Sequence, residues 1–206
     1  MASRMGQDGT VSAVSQTSER VVGILEAACR VVVREGAHGL RMAAVAREAG
    51  VSKALVHYYF ATRQELVRSA FSWSEEQWQS ALRERIHEAP YALDRIEQAL
   101  LLTIDPTEPF AEHRALWNEV WSSLRFDDDL RPLVDSSYQR WIRRLTTLVR
   151  DARAEGSVDA ATDPRETAWR LAALADGIDS MLYLELLGRA RARTLLCEGV
   201  RRELGL

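Results

Sequence analysis

Lysine is almost missing from this chain: of 27 basic residues, 26 are arginine and only Lys53 is lysine. Cysteine is nearly missing too. The two present, Cys29 and Cys197, are far apart, which excludes a disulfide scaffold or thiolate metal cluster and suits two apolar fillers in a reducing cytoplasm. Only five prolines interrupt 206 residues, so long helices are permitted. No apolar run is long enough to cross a membrane, because Asp176, Asp179 and Glu185 break the longest one. Met1 to Thr17 lacks the apolar core of a secretory leader; rich in Ser, Gly and Gln, it is expected to be a flexible arm. There is no Gly-rich phosphate loop and no Gly-x-Ser-x-Gly nucleophile setting. His38, His57, His87 and His113 stand at no ligand spacing, and Glu112-His113 reads as an ordinary exposed neighbour pair. Neither a metal, nor a cofactor, nor a catalytic residue is expected.

What the chain does have is helical period nearly everywhere and no convincing alternation, so the expected class is all-α. Ser18 to Glu35 carries Val21, Leu25, Ala28 and Val32 on one face, and Gly36 ends it. Thr62-Arg63-Gln64-Glu65 is a capping box that starts a longer helix with Leu66, Ala70 and Trp73 along one side. Further helices are expected at Tyr91–Ile104, Pro109–Leu124, Leu130–Ala154, Pro164–Leu187 and Arg189–Leu204. Asp163-Pro164-Arg165-Glu166 is a strong start signal: a capping aspartate, proline at the first helical position, and an acidic residue in the first turn.

Between these lies Arg41 to Leu66, RMAAVAREAGVSKALVHYYFATRQEL, which reads as a helix-turn-helix. Met42 to Ala49 forms the first helix with Val45, Ala46 and Ala49 inward, Gly50 accepts the positive φ of the turn, and Ser52 caps the second. The second helix turns Lys53, Ala54, His57 and Tyr58 outward and Val56 and Phe60 inward. A short polar-aromatic helix presented in this way fits the DNA major groove. Charge is distributed accordingly. Arg20 to Arg68 holds eight basic and four acidic residues, whereas everything from Phe71 onward holds eighteen basic and twenty-four acidic ones. A basic head on an acidic body, within a net charge of −3, suits a protein that meets phosphates at one end.

Val45-Ala46, then Gly50-Val51-Ser52-Lys53, then Val56-His57-Tyr58-Tyr59-Phe60, then Arg63 and Leu66 resemble the DNA-binding domain of the tetracycline-repressor (TetR) family of bacterial regulators, over about Ser18 to Ala70. His57 stands where the family usually has a tyrosine, Ala54 and Leu55 replace small or hydroxylated residues, and Arg41 replaces a capping threonine. The resemblance implies nine or so helices: a flexible arm at 1–17, a three-helix DNA-binding domain at 18–66, and an effector-binding and dimerisation domain at 67–206. It implies a cytoplasmic homodimer that binds a palindromic double-stranded operator and is released by a small molecule. The DNA-contacting set would be Arg41, Ser52, Lys53, Ala54, His57, Tyr58, Tyr59 and Arg63, with Tyr59 and Arg63 on the phosphates.

Phe110, Trp117, Trp121, Tyr138 and Trp141 concentrate five large aromatics in two helices. Ordinary core packing explains any one of them; a ligand cavity between helices explains the concentration. Trp141, the Gly156 turn and Leu174-Ala175-Asp176-Gly177-Ile178 are similar to the choline-responsive subgroup of the family. A cationic or amphipathic effector would suit aromatic faces with a carboxylate from Glu119, Asp176 or Asp179, and a neutral hydrophobic metabolite fits the same residues. The expected effector set is Phe110, Trp117, Trp121, Tyr138, Trp141 and Asp176. Leu171, Leu174, Ile178, Met181, Leu182 and Leu186 form an apolar stripe for dimerisation, with Gly177 allowing close approach; the alternative is packing within one subunit. Two other functions compete: a DNA-binding protein without an effector, and an all-helical enzyme using scattered Asp and His. Ligand-induced release from DNA would exclude the first, and steady turnover would mark the second.

Overall fold

The computed structural model describes residues 8–107, 109–125 and 128–206, and side chains from Ser18 onward. The described residues form nine α-helices, one 3₁₀ turn (Asp128–Leu130) and no strand. The helices are α1 (Asp8–Glu35), α2 (Met42–Glu48), α3 (Lys53–Tyr59), α4 (Arg63–His87), α5 (Ala92–Leu102), α6 (Phe110–Ser123), α7 (Arg131–Ala154), α8 (Pro164–Tyr183) and α9 (Arg189–Glu203). The all-helical expectation holds. α1 starts at Asp8, ahead of the expected Ser18, because no proline stops a helix already fixed by its packed second half. Of the expected arm, residues 1–7 lie outside the described residues.

The chain divides into two compact units, with divisions inside α4, inside α6 and at the start of α7: Met1–Ser74 with Leu116–Leu130, and Glu75–Ala115 with Arg131–Leu206. In the first, α1 buries Ile24, Ala28, Val31 and Val32, α2 buries Met42, Ala44, Val45 and Ala46, and α3 contributes Val56. Alanines at 28 and 46 keep the helices close. Glu48 accepts from Arg30 at 2.9 Å and Arg34 at 3.1 Å, tying α2 to α1 and lowering the Glu48 pKa through those two bonds. The α2–α3 turn is a Schellman closure. Gly50 has φ +66°, its N–H reaches Arg47 O, and Val51 N–H reaches Ala46 O at 2.9 Å. Ser52 Oγ then accepts from Leu55 N–H at 3.1 Å, which starts α3.

In the second unit α5, α7, α8 and α9 close around Ile96, Leu100, Leu145, Val149, Leu171, Leu196 and Val200. The expected start signal works as chemistry: Asp163 Oδ1 accepts from Arg165 N–H at 2.8 Å and Glu166 N–H at 3.0 Å. Helix α5 has no cap from its own N-cap, Tyr91; Glu155, just after α7, supplies one by accepting from Ala92 N–H at 2.8 Å. Helix α8 stops at Tyr183, short of the expected Leu187. Another Schellman closure ends it, with Leu186 N–H on Met181 O at 2.9 Å and Glu185 N–H on Leu182 O at 3.1 Å. Glu185 occupies the left-handed position at φ +55°, where glycine is usual.

Candidate DNA-binding and effector sites

Ser52, Lys53, Ala54, His57 and Tyr58 are all exposed on α3 or at its cap while Val56 is fully buried, so the helix presents one polar edge to solvent. Tyr58, 79% exposed, is propped edge-to-face against Tyr59 with ring centroids 5.0 Å apart, a contact that turns the phenol outward. Arg41 is exposed too, at the N-cap of α2, and makes no side-chain cap. Arg63 has a local role that its sequence position does not announce. Its Nη1 donates to Ala37 O at 2.7 Å, so one guanidinium donor braces the start of α4 against the α1–α2 connection. Half of the expected capping box is formed there, with Thr62 Oγ1 accepting from Glu65 N–H at 3.1 Å, while Glu65 Oε2 reaches one residue further back and accepts from Ala61 N–H at 2.8 Å.

The six expected effector residues separate into groups. In the first unit Trp117 lies 5.6 Å from Phe71 and 5.7 Å from Trp121, centroid to centroid. In the second unit Phe110 is a core filler, 2% exposed, with the Arg85 guanidinium 5.8 Å over its ring. Tyr138 and Asp176 do meet: the phenol donates to Asp176 Oδ2 at 2.6 Å, and Trp169 packs on the Tyr138 ring at 5.6 Å. Burial pushes the Asp176 carboxyl up, opposed by the tyrosine bond, while burial and then Asp176 raise the phenol.

Trp141 belongs to a different cluster. Its ring stands edge-on to Trp78 at 5.5 Å and 72°, and Trp78 stacks on His113 at 5.5 Å and 27°. Against them sits Glu75, only 4% exposed, with Oε2 3.3 Å from His113 Nε2. Its other oxygen, Oε1, accepts from Gln79 Nε2 at 3.0 Å and lies 3.5 Å from Arg140 Nη2; Gln79 in turn accepts from Arg144 at 3.0 Å. Burial alone would raise the Glu75 carboxyl. The bond and charge of His113, then the Gln79 and Ser137 bonds, overcome it and hold the group at about 2.

Glu75, Trp78 and His113 are not among the residues that the sequence singles out. The expected inner line of α4 through Trp73 is displaced, since Trp73 is half-buried and the buried line runs through Phe71, Glu75 and Trp78. An acid one helical turn from an aromatic on each side is the signal that could have found them. His113 is also corrected: Glu112 is exposed, but His113 is 7% exposed, with its Nε2 against the Glu75 carboxylate. No group of three or more metal-ligating side chains occurs among the described residues, and none of their helices is long and apolar enough to cross a membrane.

The expected dimer stripe is divided as well. Leu171 and Ile178 are buried in this chain's own core, and Leu174 and Leu182 pack against it, while Met181 and Leu186 are 48% and 75% exposed. Within the chain itself the close helix approach is at Gly199, and the Gly177 face is left open. A Cβ on Gly199 would lie 2.5 Å from Leu174 Cδ2, whereas nothing in the chain comes within 4 Å of one on Gly177.

The chain matches known proteins over both regions. Residues 24–70 match the family described as bacterial regulatory proteins, tetR family, and residues 92–205 match BetI-type transcriptional repressor, C-terminal. The HTH-type transcriptional regulator BetI of Escherichia coli (strain K12) is 27% identical over 176 residues, 84% of this chain and 87% of that one. A TetR-family regulator structure from Rhodococcus sp. superimposes with TM-score 0.82 at 27% identity, covering 91% of this chain and 99% of its own. A transcriptional regulator from Saccharomonospora viridis, solved in complex with choline, does so with TM-score 0.79 at 26% identity, covering 89% of this chain and 96% of its own. The matched families and relatives are transcriptional regulators, not enzymes. From the helix-turn-helix at its N-terminal end to the BetI-type C-terminal region, this chain belongs to the TetR family of transcriptional regulators.

Proposed function

We propose that this regulator is a homodimeric repressor that binds a palindromic operator and is released by an organic cation bound at Glu75, Trp78 and Trp141. The observation that carries the effector reading is the buried Glu75 carboxylate, held ionised beside two indoles standing at 72° to each other. A carboxylate supplies the charge and aromatic faces the quadrupole that a quaternary ammonium requires. The choline complex of the Saccharomonospora viridis regulator supports the same ligand class. Asp176 is the weaker anchor, since burial raises its carboxyl and Tyr138 already occupies Oδ2. Trp117, Trp121 and Phe110 then serve packing.

Dimerisation follows from what α8 leaves uncovered. Trp169, Ala173, Gly177, Met181 and Leu184 are exposed at spacings of four, four, four and three residues. They make one stripe along α8 and its C-terminal cap, with large apolar residues at both ends and two small ones, Ala173 and Gly177, in the middle. Small residues there would let the same helix of a second copy approach closely. A copy seated by a two-fold axis would set two α3 helices for successive major grooves, ~34 Å apart. Lys53, His57 and Tyr58 would read or grip the DNA, Ala54 would allow close approach, and Ser52, Tyr59 and Arg41 would hold phosphates. Arg63 would add a phosphate contact with the donors left after Ala37. The compartment that fits this work is the cytoplasm.

Selection of bound duplexes from a random DNA library, followed by release with choline, tests the whole reading. Recovery of a palindrome whose complex dissociates on adding choline supports it; a folded dimer that enriches no sequence would overturn the operator assignment. Arg41→Thr separates stability from recognition. Threonine would cap α2 and is expected to stabilise the first unit by ~1 kcal/mol. It would also remove one phosphate contact per protomer, so affinity falls and the salt slope flattens by about one for each contact. Melting curves and binding at two salt concentrations check both halves.

A further inference from the structure

Taking Glu75, Trp78 and Trp141 as the effector site, we infer that His113 is a built-in competitor for the effector: its ring occupies the place against Glu75 Oε2 and the Trp78 face that the organic cation takes, so binding displaces His113. The arrangement is a cation site already filled by the protein. The His113 ring stacks on Trp78 at 27°, with Nε2 3.3 Å from Oε2. Gln79 and Arg140 both address Oε1. An incoming ammonium group would face Oε2, the oxygen that His113 approaches, on a carboxylate that the Ser137 hydroxyl also bonds. Glu75 and His113 are 4% and 7% exposed, so water screens neither, and a protonated ring and a second cation on one buried oxygen would repel strongly. His113 also sits on α6 just before Leu116, where that helix passes into the unit carrying α3. A ligand that displaces it acts directly on a helix shared by both units.

Proton linkage gives the sign. Low pH favours imidazolium and opposes the ligand; high pH frees Oε2 and favours it. The surrounding charges are Glu75 on α4, Arg140 on α7, and Arg144 on α7 acting through Gln79. Arg114, next to His113 on α6, faces Asp179 on α8 at 3.5 Å. Glu75 owes its low position first to His113, so once that ring is displaced the Gln79 and Ser137 bonds and the incoming cation must keep the carboxylate ionised; the arginines stay charged.

Calorimetric titration of the full chain with choline at about pH 5 and about pH 8, in buffers of differing ionisation enthalpy, counts the protons released. The wild type is expected to bind at least roughly 10-fold more tightly at the higher pH and to release protons on binding. His113→Gln keeps a hydrogen-bond donor but cannot titrate, and is expected to bind with one affinity at both pH values. Wild-type binding that ignores pH and releases no proton would overturn the inference, and needs no variant to fold. So would His113→Gln retaining the full pH dependence. Absence of choline binding to folded wild type at both pH values would overturn the effector reading itself, and the competition with it.

Discussion

Lys53→Ala is expected to weaken operator binding by about 30-fold or more while leaving folding nearly unchanged. The residue is exposed at the first position of α3 and supports no packing, so its removal costs stability within roughly 0.5 kcal/mol. Its cost on DNA is counted twice, because a two-fold dimer presents the same residue to both half-sites. One lost base or phosphate contact per protomer at ~1–3 kcal/mol becomes ~2–6 kcal/mol for the dimer, between about 30-fold and 20,000-fold. The form of the loss tells which contact was made. A phosphate contact would weaken all sequences alike and reduce the salt slope by about two, whereas a base contact would relax preference at one symmetric pair of positions. Lys53→Arg distinguishes them further: the charge persists, but a forked guanidinium replaces a compact ammonium. Fluorescence anisotropy with the selected operator at two salt concentrations measures both. An alanine variant that binds within a factor of about three would remove Lys53 from the interface, and with it the significance of the single lysine.

The head was legible in the sequence because its signals are local. Gly50, Ser52 and Thr62 each dictate a turn or a cap through local chemistry, and each makes its expected turn or cap bond. The body was less legible because its decisive features are pairings between helices remote in sequence. Nothing near Glu75 announces that His113, far along the chain on α6, will meet its carboxylate at 3.3 Å. The end of α8 was hidden for a different reason: the left-handed residue there is Glu185, so the glycine that usually marks such a closure is missing. The dimer stripe shows the limit of periodicity alone. Leu171 and Ile178 recur at helical spacing, as do Trp169, Ala173, Gly177 and Met181, and only the packing of α8 on α7 and α9 decides which line faces the core. Because the exposed line has alanine and glycine at its centre, a search for large apolar residues passes over it.

Glu75→Ala is expected to destabilise the second unit by about 3–5 kcal/mol, because it deletes one partner of a buried pair and leaves the other. His113 would face apolar indoles without its carboxylate, and Gln79 Nε2 and the Ser137 hydroxyl would lose an acceptor. Glu75→Gln retains the size and one acceptor oxygen, so its cost should be smaller; the difference isolates the charge. The same group sets the acid limit. Its folded pKa of about 2 lies below the ordinary 4.5, so its contribution is complete above about 4.5 and is lost as pH falls through about 2. The gap between 4.5 and about 2 corresponds to roughly 3 kcal/mol at neutral pH, comparable to the cost of removing the side chain. Calorimetric melts at neutral pH and at about pH 3 should therefore show the wild type losing more stability on acidification than Glu75→Gln, whose amide has no proton to bind. Equal acid sensitivity would mean that the carboxylate is not the group protecting this core. A neutral-pH melting point unmoved by Glu75→Ala would mean that His113 finds another partner, and that the buried pair does not hold α4, α6 and α7 together.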